Sequence, residues 1–312
     1  MKRNIIRVIS IIISVLMGLM SISVVAHAEE VERYDGEFDY IAYSNVGDID
    51  DAPINSAEHF LKCCSDEYPF TTIKGDLRLT SDNGIVMCHD KGFTLNAEGR
   101  IVSYKASNSV DIHNLTFEQC MALQYNKKYE DEYVNVCDFE AYIKICAEHN
   151  KRAFITIRDE YIPELIDVMM PLIYKYNMQS NCMINSFTLD SLKLVKEYDD
   201  SISLSWIVND GELSTEIIDT ASDLGNCLLT LFDFPCSSRG GMESIERDKN
   251  LISYAQKKGV ILYAAIVESI SYVDKLKRYG ISGAQIIKLD PIELPPEYSQ
   301  VIFRKVRKKI KK

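Results

Sequence analysis

Residues that could bind an anion and move a proton lie close together in the stretch 71–90. Lys74 and Asp76 are two residues apart and therefore share one face of a strand. His89, followed by Asp90, closes the stretch and offers an imidazole for acid/base chemistry. Other interpretations remain open: a surface salt bridge between Lys74 and Asp76, and a structural histidine bonded to Asp90 or to a backbone carbonyl.

The elements that must position these side chains are two strands joined by a short turn. Residues 72–79 alternate β-forming side chains with small or charged ones, as in a strand with one buried face. Residues 81–84 read Ser-Asp-Asn-Gly, which favours a turn, and residues 85–88 are apolar. Because a parallel crossover needs a dozen or more residues, the return must be antiparallel. We expect Asp76 and His89 on one rim.

Beyond this hairpin, short β-type runs alternate with helical patterns. The runs begin near Phe38 and Thr72 and continue at 153–157, 182–186, 202–208, 227–232, 260–266 and 284–287. The helical patterns lie at 162–176, 189–198, 213–223, 243–258 and 271–279. Eight such units are typical of a TIM (β/α)8 barrel, with residues 81–90 as an extra antiparallel return above its C-terminal rim. A doubly wound open sheet has the same local pattern.

The hairpin resembles that of the glycerophosphodiester phosphodiesterase family, in the phosphatidylinositol-specific phospholipase C-like phosphodiesterase superfamily. The family has a strand I-E-x-D-V, a turn T-x-D-G and a return ending in H-D. Here the frame reads Ile73-Lys74-Gly75-Asp76-Leu77, Thr80-Ser81-Asp82-Asn83-Gly84 and His89-Asp90. The resemblance implies a TIM barrel, hydrolysis of phosphoric diesters in lipid and glycerophosphodiester metabolism, and a divalent cation such as calcium or magnesium.

The resemblance breaks at the metal ligands. Lys74 stands where the family has a ligating glutamate, and Thr156 stands at a third ligand position in a strand that the family reads I-E-x-K. Arg158 keeps the positive charge of that strand's lysine, and Asp76 is the one retained ligand. One carboxylate cannot satisfy a hard cation that takes six or more oxygens. We expect no metal cofactor, and we expect Lys74 and Arg158 to meet a phosphate beside Asp76.

The catalytic set is also incomplete. The family has a His-Arg pair at the end of the first strand, where this chain has Ser44-Asn45, so His89 alone remains of two catalytic histidines. Pro53, Asn55 and Ser56 match a following Pro-Glu-Asn-Thr motif, and Tyr263 stands where the family usually has a tryptophan at the site. The segment from Lys91 to His113 is interpreted as a polar connection before a helix that Thr116 caps.

Two functions follow from these replacements. The first is an exported phosphodiesterase-like enzyme with a metal-independent site, whose activity is weak, altered or lost. The alternative is a non-catalytic protein that binds a phosphorylated polyol or a cell-surface polymer through Lys74, Arg158 and the polar strand ends at Ser44 and Asn45. A scaffold with an empty site is a third interpretation.

The two ends of the chain differ from its body. Lys2 and Arg3, an apolar run and Ala26-His27-Ala28 predict a secretory signal peptide over residues 1–28, with a retained membrane anchor as the alternative. The barrel domain then covers residues 29–303. The basic tail 304–312 could touch anionic membrane or cell wall, or remain solvated.

The net charge and the cysteine pattern limit the possible partners and cofactors. The formal net charge of −11 argues against nucleic acid as a partner. The nine cysteines include no C-x-x-C pair and lie in apolar runs. This pattern predicts small buried hydrophobic side chains and not a disulfide framework or a zinc site.

Overall fold

The structure, a computed structural model, describes residues 37–43, 52–103, 109–209, 211–232 and 243–289. Eight parallel strands form a closed ring, because the first strand pairs with both the second strand and the last. The ring strands are β1 (Asp39–Ala42), β2 (Thr72–Leu79), β9 (Arg152–Ile157), β10 (Cys182–Ser186), β11 (Ser203–Val208), β12 (Cys227–Leu231), β13 (Leu262–Val267) and β14 (Gly283–Ile286). The prediction of a TIM barrel is confirmed, and an open sheet is excluded.

Helices connect the ring strands on the outside of the barrel, as the apolar periodicity predicts. They are α1 (Ala57–Cys63), α2 (Phe117–Met121), α3 (Phe139–Glu148), α4 (Ile162–Lys175), α5 (Leu189–Tyr198), α6 (Thr215–Leu224), α7 (Glu243–Lys257) and α8 (Val273–Arg278). Ser56 caps α1 and Thr116 caps α2, each by accepting a backbone N–H with its side chain. The main core lies between the barrel sheet and these helices other than α2, which packs in a separate core.

The hairpin after β2 is the element that sets the site apart from a plain barrel. Strand β3 (Ile85–Met87) pairs antiparallel with the end of β2, outside the ring. The turn is held by Thr80, whose hydroxyl accepts the N–H of Gly84 at 2.8 Å, and Asn83 takes the left-handed conformation at φ 63°. The N–H of Cys88 donates to the carbonyl of Asp76 at 2.8 Å, so the residues that follow β3 lie beside the end of β2, as predicted.

The segment after the hairpin is not a plain polar connection, and that interpretation is wrong. Lys91 to His113 contains three short strands, β4 (Gly92–Leu95), β5 (Ile101–Ser103) and β6 (Val110–Asp111). They form a second sheet with two strands that follow α2, β7 (Gln124–Tyr129) and β8 (Glu132–Asn135). This sheet packs with α2 and β3 around a small separate core that includes Phe93, Tyr125 and Val134. Its strands are two to six residues long, too short for alternation to be distinguished from a polar loop.

The N-terminal end of the barrel is closed by a buried carboxylate. Asp39, the first residue of β1, is fully buried and accepts hydrogen bonds from the hydroxyls of Thr71 at 2.6 Å and Thr72 at 2.5 Å. It also accepts from the Tyr263 hydroxyl at 3.1 Å and from Arg152 at 3.4 Å. These contacts tie four strands together. They also place Tyr263 at the end opposite the predicted site, which corrects its assignment to the rim.

The cysteines within the described residues are free and buried. Burial raises the pKa of their thiols, to about 12 for Cys88 and about 11 for Cys64, so they remain protonated at neutral pH. The prediction of buried hydrophobic cysteines is confirmed for these residues. In the described ranges, every helix is too short or too polar to cross a membrane. The predicted signal peptide and basic tail lie outside the described residues.

Candidate functional site

Strand β2 places a row of charged side chains along one face. Lys74 and Asp76 both point into the barrel, with 2% and 0% of their surfaces exposed, and the Lys74 ammonium lies 2.5 Å from Asp76 Oδ1. Gly75 between them faces outwards, where a Cβ would lie 2.5 Å from the Met87 side chain. The glycine therefore leaves room for the Met87 and Tyr142 side chains directly behind this pair.

Arg158, which is partly exposed, completes a charged triad with the buried Lys74 and Asp76. Thr156 is the register partner of Asp76 on the neighbouring strand β9, and Arg158 follows two residues later on the same face. Its Nε donates to Asp76 Oδ1 at 3.1 Å. The sequence predicted these ion pairs, and the structure places all three side chains together. Two cations thus share one carboxylate, which leaves the triad one net positive charge.

Burial and mutual charge shift the titration of the triad. Burial lowers the pKa of Lys74 from its ordinary 10.5 to about 8, and the Asp76 carboxylate opposes that shift. Burial alone would raise the pKa of Asp76, but the Lys74 ammonium and the Arg158 guanidinium together hold it well below its usual range. Near neutral pH the triad therefore consists of an anion flanked by two cations.

Aromatic rings line the triad at the strand ends. The Lys74 ammonium lies 5.0 Å from the centre of the Tyr43 ring, and the Arg158 guanidinium lies 5.3 Å from that of Phe187. Phe187 in turn makes an edge-to-face contact with Phe232 at 5.8 Å. These contacts stabilise the two cations in partly desolvated positions.

Asp76 has a third partner, the neutral Asn55, which sequence analysis identified only as part of a matched motif. Asn55, buried before α1 at φ 60°, accepts the backbone N–H of Asp76 with its Oδ1 at 3.3 Å. Within the described part of the chain, Asp76 Oδ2 and Asn55 Nδ2 are buried and have no hydrogen-bond partner. The site therefore keeps unused hydrogen-bonding capacity next to the triad.

His89 lies at the rim, as predicted, and is 40% exposed. Its Nδ1 is 2.7 Å from Asp90 Oδ1, so the neighbouring carboxylate fixes the imidazole and leaves Nε2 as the free nitrogen of the pair. Its backbone carbonyl accepts a hydrogen bond from Arg78 Nη2 at 3.1 Å. His89 is also close enough to Asp76 to help lower the pKa of that carboxyl. The imidazole is thus held beside the triad.

A chain of neutral polar side chains continues from Thr156 across the barrel interior. The Thr156 hydroxyl accepts from Asn185 at 3.1 Å, and Asn185 Oδ1 accepts from Ser205 at 2.8 Å. The Ser205 and Thr230 hydroxyls are 2.7 Å apart. All four side chains are fully buried and lie on four adjacent strands. Sequence analysis missed the last three, although each is a polar residue inside an apolar strand.

The donor set does not suit a divalent cation. Among the described residues, no three His, Cys, Asp or Glu side chains converge as possible ligands. Asp76, the one carboxylate at the predicted ligand positions, already contacts both Lys74 and Arg158 through Oδ1. A divalent ion there would have to displace the Lys74 ammonium. Ser44 and Asn45, the other predicted site residues, lie outside the described residues.

The structure defines a TIM barrel with an antiparallel hairpin and a His-Asp pair at its mouth, the arrangement that the resemblance to phosphodiesterases implies. Residues 67–285 match the glycerophosphoryl diester phosphodiesterase family. This match covers more than half of the chain, which therefore belongs to that family. No curated protein matches the sequence.

Solved structures with the same fold carry related names. A candidate glycerophosphoryl diester phosphodiesterase from Silicibacter pomeroyi superposes with a TM-score of 0.65 at 12% identity, over 89% of this chain and 97% of the other. A glycerophosphodiester phosphodiesterase from Parabacteroides distasonis gives 0.62 at 15%, over 86% and 99%. A phosphodiesterase from Oleispira antarctica, in complex with the product sn-glycerol-3-phosphate, gives 0.63 at 14%, over 88% and 97%. At sequence identities this low, the structural similarity establishes the shared fold and no more.

Proposed function

We propose that this glycerophosphodiester phosphodiesterase-like protein is exported and binds phosphate esters at the barrel mouth, with weak or no turnover and without a metal. The observation that carries the proposal is the Lys74 ammonium, 2.5 Å from Asp76 Oδ1. The lysine supplies positive charge where the family holds a cation. The fixed charge can attract a phosphate, whereas a metal can also activate water.

Arg158 supports phosphate binding by its geometry. Only its Nε contacts Asp76, and its two Nη groups make no hydrogen bond to the described residues. A guanidinium with free Nη groups can take two phosphoryl oxygens in parallel. Lys74 has further N–H donors beyond the one that Asp76 accepts. The triad therefore offers several donors to one phosphate group. Contact of the basic tail with anionic membrane remains a secondary proposal.

A second candidate function is a metal-independent phosphodiesterase with altered chemistry. The pairing of His89 with Asp90 favours it, because an exposed imidazole oriented by a carboxylate can transfer a proton to a leaving alcohol. Because His89 acts without the second catalytic histidine of the family, the rate should be lower by the contribution of one acid/base group, about 10²- to 10⁴-fold.

One experiment on the full chain distinguishes the two candidate functions. Binding of sn-glycerol 3-phosphate and of glycerophosphocholine is measured by calorimetry, and hydrolysis of glycerophosphocholine is followed with calcium, magnesium or EDTA. We expect binding that EDTA leaves unchanged and that Arg158→Gln weakens about tenfold, with hydrolysis near background. Turnover in EDTA that His89→Ala abolishes would establish the altered enzyme instead. Absence of binding would exclude both.

Phosphate binding is expected to weaken as the pH rises from 7 to 9.5. Because burial lowers the pKa of Lys74 to about 8, the side chain loses its proton within this range, and one of the two cations disappears. The loss of one charge-assisted hydrogen bond reduces affinity about tenfold. Glycerophosphocholine is a suitable ligand because its phosphodiester charge stays constant in this range. Lys74→Met should bind weakly with no step near pH 8, and a step that persists in this variant would assign the titration to another group.

A further inference from the structure

Two buried cysteines lie at the contact between α1 and α3, behind the strand that carries Lys74 and Asp76. The rings of Phe60 on α1 and Tyr142 on α3 lie 4.7 Å apart. Cys64 comes one turn after Phe60, at the C-cap of α1, and its N–H donates to the Phe60 carbonyl at 3.0 Å. Cys146 comes one turn after Tyr142 on α3. Because residues four apart share one helix face, each thiol continues the face that makes the ring contact.

The direction of the two helices brings the cysteines to the same level. Helix α1 leads to β2 and α3 leads to β9, and these two strands are parallel neighbours in the ring. The helices therefore run in the same direction. Lys151 bridges their ends, because its N–H donates to the Cys146 carbonyl at 2.9 Å and its ammonium donates to the Phe70 carbonyl, just before β2, at 2.8 Å. Cys64 and Cys146 thus lie side by side, one turn beyond the ring contact.

The titration of the two thiols supports this placement. Burial raises the pKa of Cys146 well above its ordinary value, and the neighbouring group that raises it most after burial is Cys64. Burial also raises the pKa of Cys64, but the Lys151 ammonium opposes that shift and the value is about 11. Cys64 is therefore the more easily ionised thiol of the pair. In thiol–disulfide exchange the attacking group is a thiolate.

We propose that Cys64 and Cys146 form a disulfide by exchange with a small-molecule disulfide, a class of oxidant found outside the cytosol. The Cys64 thiolate attacks one sulfur of the oxidant, forms a mixed disulfide and releases one thiolate. The Cys146 thiolate then attacks the Cys64 sulfur, forms the Cys64–Cys146 bond and releases the second thiolate. The two cysteines lose two electrons and two protons, and the oxidant becomes two thiols. The reaction in the cell needs the export proposed above but not phosphate binding.

This disulfide ties together the part of the chain that builds the site. The loop that it closes contains β2, the hairpin and the second sheet. A cross-link between residues distant in sequence restricts mainly the unfolded chain, and its effect grows with the length of the closed loop. Tyr142 connects the pair to the site, because its hydroxyl donates to the Ile73 carbonyl, directly before Lys74, at 2.7 Å. Oxidation therefore stabilises the fold around the triad.

The test incubates the full chain with oxidised glutathione at about pH 8.5, near the ordinary pKa of a thiol. Remaining thiols are alkylated, and disulfides are mapped by mass spectrometry without reduction. We expect one linked pair of peptides, containing Cys64 and Cys146, and a melting temperature that rises by about 5–10 °C and falls back on reduction. Cys146→Ala should stop the reaction at the first step and retain glutathione on Cys64, whereas Cys64→Ala should leave Cys146 unmodified.

A matched variant and the unfolded chain serve as controls. Cys120→Ala removes an equally buried cysteine from the separate core of the second sheet and should leave the linkage unchanged. Oxidation of the chain in urea shows that the oxidant is active. The proposal would be overturned if all thiols of the folded protein stay free under conditions that oxidise the unfolded chain, if a different pair forms the disulfide, or if Cys64→Ala carries glutathione on Cys146.

Discussion

Asp76→Ala is expected to lower the free energy of unfolding by about 3–5 kcal/mol, because removing one partner leaves buried cations uncompensated. Lys74 has 2% of its surface exposed and cannot turn to water without opening the barrel mouth. Arg158, at 17%, loses its carboxylate contact as well. Such a loss is a large fraction of the 5–15 kcal/mol that stabilises a typical domain. Urea unfolding followed by circular dichroism measures it.

A double variant separates charge from packing in this prediction. Lys74→Met with Asp76→Leu replaces the ion pair by apolar side chains of similar size, which is often neutral or stabilising. It should therefore recover most of the stability that Asp76→Ala loses, since Arg158 can rotate outwards. Asp190→Ala, at a side chain 92% exposed, should change stability by less than about 0.5 kcal/mol. A loss of under about 1 kcal/mol in Asp76→Ala would mean that the triad is not held desolvated.

The barrel is predictable from the sequence because its strands and helices differ strongly in period. Buried parallel strands such as 182–186 and 227–231 are short and mostly apolar, and the helices between them carry apolar side chains every third or fourth residue. The antiparallel return follows from the turn at 81–84, which leaves no room for a crossover. Closure into a ring depends on pairing between β1 and β14, and only the family resemblance indicated it.

The second sheet and the polar interior chain were not predictable in the same way. The strands around Phe93 and Val110 are only a few residues long and pair with each other across an intervening strand and loop, so their local pattern resembles a loop. Asn185 and Ser205 lie within apolar strands, and their role appears only when four strands bring their side chains into one layer. Tertiary register, which the sequence does not display, decides both.

The candidate site also contains residues that the sequence predicts and residues that it does not. Lys74, Asp76 and Arg158 could be placed because the hairpin frame fixes two of them and a strand end fixes the third. Asn55 could be recognised only as part of a matched motif, because its hydrogen bond with the backbone N–H of Asp76 joins residues that are distant in the sequence and exists only in the folded structure.

Lys74→Glu combined with Thr156→Glu is expected to convert the mouth from an anion site to a cation site. The two substitutions place three carboxylates together, because Thr156 is the register partner of Asp76 and Lys74 shares its face. Removing the ammonium also frees Asp76 Oδ1 for a metal. Calorimetry should show calcium binding with a dissociation constant below about 1 mM, a range typical of weak protein sites, and loss of sn-glycerol 3-phosphate binding in the absence of calcium.

Hydrolysis should remain near background in that double variant, because charge stabilisation and proton transfer are separate contributions to the barrier. Adding Ser44→His and Asn45→Arg supplies the pair that the family has at the first strand end and should raise calcium-dependent hydrolysis of glycerophosphocholine by about 10²- to 10⁴-fold. Thr156→Glu alone is the matched control: the Lys74 ammonium remains and should prevent calcium binding. Micromolar calcium binding by the unmodified protein that Asp76→Ala abolishes would instead mean that a metal displaces Lys74, and the triad would then be only its resting arrangement.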